Sequence, residues 1–134
     1  MINDIKTSQY SIRKTVSASF EEAVKQVQEL LKQEGFGVLT TIDVQQTLEK
    51  KLYVAYDKYV ILGACHPQSA FKALQMDKDM GLLLPCNVVV YEETKQVIVS
   101  AIRPTVALSI ANEPALHEVA KEIENKLQRV VEHI

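Results

Sequence analysis

The sequence predicts an α+β domain: a mixed, largely antiparallel sheet of about five strands with helices packed on it, in the order β-α-β-α-β-α-β-β-α. Three observations carry that prediction. Two long stretches, Ser19–Glu34 and Asn112–His133, repeat apolar residues at helical spacing. Shorter stretches rich in Val, Ile, Thr and Tyr lie between turn-forming residues, as strands do. The last two of these are separated only by the polar Glu93-Thr94-Lys95-Gln96. So short a loop allows no crossover, which makes the pair antiparallel and excludes a strictly alternating layout. At 134 residues the chain is one domain, residues 1–134. That length buries roughly two-thirds of the unfolded surface without disulfide staples.

Tyr10–Val16 has strand composition. Ser19 followed by Glu22 forms a capping box that starts the first helix. Phe20, Ala23, Val24, Val27, Leu30 and Leu31 give it an apolar face, and Gly35 stops it in a left-handed cap. Phe36–Ile42 is a strand. Asp43 caps a short helix from Val44 to about Leu52, and Tyr53–Lys58 connects. Tyr59–Cys65 is apolar on both faces and belongs inside the sheet, where Gly63 implies a bulge or a close backbone approach. His66-Pro67 opens a third helix, with Pro well placed at the first turn. Ala70, Phe71, Ala73 and Leu74 are its expected buried residues. Gly81 is expected to end it, at positive φ, ahead of a strand that resumes after Pro85. Val97–Ile102 returns from the hairpin. Arg103-Pro104 breaks the sheet, Thr105–Ala111 connects, and Asn112 is expected to cap the last helix.

Composition narrows the function. The chain is 47% hydrophobic and 24% charged, an ordinary globular mixture. Net charge is −2, Trp is absent and aromatics are 6%. Neither a basic face nor an aromatic stacking platform is present, so nucleic acid is not an expected partner. No run approaches the roughly 20 apolar residues of a membrane span. The expected place is the cytoplasm, where two cysteines are thiols rather than a bridge. No phosphate-binding loop, dinucleotide fingerprint, HExxH or GxSxG motif occurs, and any cofactor is left unidentified.

Both cysteines fall in Ile61–Asn87, where strands meet other elements. This stretch also carries the motifs Gly63-Ala64-Cys65-x-Pro67, Ala70-x-x-Ala73-Leu74 and Gly81 to Tyr91 (GLLLPCNVVVY). With GFGVLTTIDVQQTL before them, they resemble the bacterial and archaeal family called domain of unknown function 302, from about Tyr10 to the C-terminus. The resemblance implies a compact α+β domain, often dimeric, and no activity. The chain departs from the family pattern at His66, where Asn is frequent, at Lys78, where Pro is frequent, and at Arg103, where Asp is frequent.

The candidate ligand-binding residues are Cys65, His66, Cys86 and Arg103. Three readings of the cysteines stand side by side. They fill apolar space, as free cysteines commonly do. Alternatively, Cys65 is a thiolate nucleophile, lowered by the helix N-terminus behind it and aided by His66. Or the trio holds a soft metal, although zinc ordinarily takes four ligands and no C-x₂-C spacing is present. The leading function is a non-enzymatic small-ligand or partner-binding module. The alternatives are a thiol-based enzyme or redox sensor using Cys65, and a purely structural accessory subunit. A homodimer is expected, through the sheet or its edge. Both faces of the hairpin are apolar, while the two long helices suffice for one.

Overall fold

The computed structural model describes residues 5–134. Its strands are β1 (Lys6–Thr7), β2 (Ser11–Val16), β3 (Gly37–Asp43), β4 (Tyr59–Cys65), β5 (Cys86–Glu93) and β6 (Gln96–Ile102). Its helices are α1 (Phe20–Gln33), α2 (Val44–Leu52), α3 (Pro67–Met76), α4 (Pro104–Ala107) and α5 (Leu116–Glu132). The strands form one open six-stranded sheet in the order β1-β2-β6-β5-β4-β3. Every pairing is antiparallel, so the sheet is not mixed. The sixth strand is β1, two residues that fold back on β2 and lie outside the strand expected at Tyr10–Val16.

Local chemistry explains most boundaries. Ser19 Oγ accepts from Glu22 N–H at 3.2 Å, and Glu22 Oε1 accepts from Ser19 N–H at 3.4 Å, which closes the capping box. Gly35 has φ +87°. Its N–H donates to the Lys32 carbonyl and that of Phe36 to the Leu31 carbonyl, the paired bonds of a Schellman ending. Asp43 caps α2 through a 2.9 Å bond from Gln46 N–H. Thr94 and Lys95 form the two-residue hairpin turn, both at positive φ, as the strand twist requires.

Register puts Ile12, Val60, Leu62, Ala64, Val88, Val90, Val97, Val99 and Ala101 on one face of the sheet. All are buried, and they pack with Ala23, Val27 and Leu31 of α1 and with Ile123, Leu127, Val130 and Val131 of α5. The other face carries Ile42, Tyr59, Ile61, Val89, Tyr91, Ile98 and Ser100. Ile98 alone among these is buried, and Ile42 is 46% exposed. α2 buries none of its residues. Its last residue Leu52, and Tyr53, Val54 and Tyr56 beyond it, all stand in water, Tyr53 at 90% exposure.

Three local expectations are corrected. Gly81 is not a left-handed cap: it lies within a 3₁₀ turn, Lys78–Leu83, that follows α3, and Gly35 is the one glycine at positive φ among the described residues. Asn112 does not cap α5. It ends a 3₁₀ turn, Leu108–Ala111, in the left-handed region that Asn tolerates, and α5 starts at Leu116 without a side-chain cap. The buried side of α3 is Ser69 and Ala73, while Phe71 is 63% exposed. The helix is rotated from the expected face because its small residues, not its large ones, sit against the body.

Candidate functional site

Cys65 ends β4 and Cys86 begins β5. Cys86 stands opposite Ala64, so the cysteines are diagonal neighbours on adjacent strands. Both are partly buried and both are free thiols. His66 follows at the N-cap of α3, with Pro67 in the first turn. Its Nδ1 is 2.9 Å from Ser69 Oγ, and its ring meets Phe36 edge-on, 5.4 Å between centroids. Glycine at position 35 makes room for that ring: a Cβ there would stand 3.2 Å from His66 Nε2. Burial, with Lys126 and Lys72 adding to it against the opposing pull of Glu122, holds the His66 pKa below the ordinary imidazole value. The ring is therefore neutral at pH 7.

Cys65, His66 and Cys86 line one small cavity together with Phe36, Ser69 and Ile123. Its volume is about 30 Å³, room for about two water molecules. Burial pushes the Cys86 thiol up to about 11, with Cys65 beside it adding to the shift. Cys86 is thus a neutral apolar wall at pH 7. We expect Cys86 to resist alkylation in the native protein up to about pH 9 and to react at once in denaturant. Mass spectrometry of the labelled peptides checks this, and fast labelling of Cys86 at pH 7 would contradict it. Among the described residues no three His, Cys, Asp or Glu side chains converge to hold a metal.

Arg103 is not brought to the cavity. It opens α4, where Nε donates to Glu124 Oε2 at 3.2 Å and an Nη donates to the Ser8 carbonyl at 3.0 Å. Glu124 Oε1 accepts from Thr105 N–H at 3.0 Å and from its hydroxyl at 2.6 Å. Burial raises the Glu124 carboxyl, but the Thr105 bonds and then Arg103 outweigh it and hold it below the ordinary carboxylate value. This knot ties α4 to α5 and to the β1–β2 turn. Sequence reasoning missed Ser69 and Glu124. Ser69 had a usable signal, since it is three residues after His66 in a helix. Glu124 had none, because its partners arrive through the fold.

A second, wider opening adjoins the cysteine cavity. The segment 82–87 and the segment 102–108 wall a cleft of about 240 Å³, which shares Leu84, Pro85, Cys86 and Leu108 with the small cavity.

Residues 12–134 match the family described as domain of unknown function DUF302. The chain belongs to that family. No curated protein matches it. The DUF302 fold recurs in the crystal structure of an uncharacterized conserved protein DUF302 from Bacillus stearothermophilus. That protein is 35% identical, with a TM-score of 0.86 over 92% of this chain and 97% of the other. In this DUF302 chain the motifs that carried the resemblance, around Cys65 and around Pro85-Cys86-Asn87, are the ones that build the small cavity and the cleft beside it. No helix of the described residues is long and apolar enough to cross a membrane.

Proposed function

We propose that the chain is a non-enzymatic binding module. It acts as a homodimer in the cytoplasm and holds a small ligand beside Cys86. The observation that carries the dimer is the bare face of the sheet. Helices α1 and α5 fill one face, while Ile61, Val89, Tyr59 and Tyr91 on the other are only half-buried. Tyr59 and Tyr91 stack there at 5.2 Å. The exposed segment Leu52–Tyr56 adds further apolar surface. Monomers rarely expose contiguous apolar areas above a few hundred Å². A second copy meeting the first about a twofold axis would cover each patch with itself.

The thiol-based alternative is weaker. That reading makes Cys65 the nucleophile with His66 beside it, and the Nδ1 of His66 is already bonded to Ser69. Sedimentation equilibrium at low micromolar concentration tests the dimer. The expected mass is twice the 15.1 kDa of one chain, and Val89→Lys on the bare face is expected to halve it. A monomer with an intact cooperative melt would overturn the dimer.

A further inference from the structure

We propose that the cleft between residues 82–87 and 102–108 binds a small uncharged apolar molecule, an aromatic ring or a short alkyl chain. This rests on the ligand half of the binding-module reading and is independent of the dimer.

Size is the first support. The cleft encloses about 240 Å³, whereas a dry apolar cavity of about 150 Å³ already accepts benzene. The cysteine cavity beside it, at about 30 Å³, is too small for any ligand larger than water. The cleft therefore, and not the cavity, is where a molecule fits near Cys86.

Chemistry is the second. The walls come from Leu82, Leu83, Leu84, Pro85, Ile102 and Leu108, with no charged side chain among the residues lining the cleft. Cys86 on the wall is a neutral thiol. Asn87 is the one side-chain amide there, enough to orient a single polar atom of a ligand. An anionic ligand would need a cation. Arg103, next in sequence to two lining residues, is bonded to Glu124 and to the Ser8 carbonyl instead. A carboxylate or phosphate in the cleft would lose its water and gain no counter-charge, which is unfavourable. Leu82, a lining residue that is 83% exposed, adds an apolar rim at the lip.

The test uses two fluorophores with one aromatic skeleton, neutral N-phenyl-1-naphthylamine and its anionic 8-sulfonate. Titration of the intact protein is expected to show saturable binding of one neutral probe per chain, at least tenfold tighter than the sulfonate. Ala107→Trp, which fills the cleft, is expected to weaken the neutral probe at least tenfold. Should that variant fail to fold, Leu82→Asp serves instead. Its site is already in water, and a charge at the lip is expected to give the same loss. Val89→Lys on the sheet face is expected to leave probe binding unchanged whether or not it dissociates the dimer. Absence of saturable binding, equal affinity for the sulfonate, or loss in Val89→Lys without loss in the cleft variants would each overturn the proposal. None of these outcomes bears on the mass measured by sedimentation, so the two readings fail separately.

Discussion

Gly63→Val is expected to cost about 3 kcal/mol of stability, the upper part of the usual range for overpacking a core. Gly63 is buried in β4, opposite Thr40 of β3 and Asn87 of β5. A Cβ built there would overlap Thr40 Oγ1 and stand 3.0 Å from Pro85 Cγ. The exposed Thr40 hydroxyl can turn away, but Pro85 leads directly into β5 and must shift with it. Adding Thr40→Ala to the Gly63→Val variant should recover only part of the loss, because Pro85 stays in place. Gly37→Ala is the control: no atom lies within 4 Å of a Cβ at Gly37. Urea midpoints decide the matter, and equal midpoints for the Gly63 and Gly37 variants would show that the close approach does not matter.

The next largest effect is expected at Glu124. Truncation to Ala leaves the Arg103 Nε–H, the Thr105 N–H and the Thr105 hydroxyl without their acceptor, while Arg103 keeps its bond to the Ser8 carbonyl. Breaking a buried ion pair by removing one partner typically costs about 3–5 kcal/mol. Here the side chains are 27% and 15% exposed, so water compensates in part and the expected loss is about 2 kcal/mol. The dependence on pH has a definite sign. The folded-state carboxyl of Glu124 lies below its ordinary value, so its contribution is complete above the unfolded carboxylate value of about 4.3. That contribution disappears as pH falls through the lower folded value. The difference between wild type and Glu124→Gln should therefore be full at pH 7 and should shrink at pH 3. A difference that persists unchanged in acid would mean that the carboxylate charge is not what holds the knot.

Elements whose ends are written in neighbouring residues were legible in the sequence. Ser19 with Glu22, Asp43, Gly35 and Pro67 each act within a turn of themselves, and α1, α2 and α3 begin where those residues say. The same held for Gly63, whose place in an apolar strand pointed to a close approach before its neighbour could be named. Where a residue serves two local conformations, the fold decided. Asn112 is as good a left-handed residue as a helix cap, and the chain uses it to turn. Gly81 is as good inside a 3₁₀ turn as after a helix. At the site, Cys65, His66 and Cys86 were legible together because adjacent strands bring their ends together. Arg103 was not, since its partner Glu124 is 21 residues away and reaches it only when α5 crosses the sheet. The cleft was hidden for a similar reason: nothing local to Leu82–Leu84, ahead of the strand expected after Pro85, shows that they form its wall.

The two borders of the sheet are unlike its middle. On one side β1 offers, among the described residues, only Lys6 and Thr7, too few for another chain to grip, and Lys6 adds a charge. On the other side β3 is seven residues long, but its pairing slips between Val38 and Thr40. Such a bulge kinks the outer row of N–H and C=O groups away from the straight line that a foreign strand would copy. Strand-by-strand growth into fibres is thereby discouraged at both borders, even though the apolar strands within would otherwise favour it.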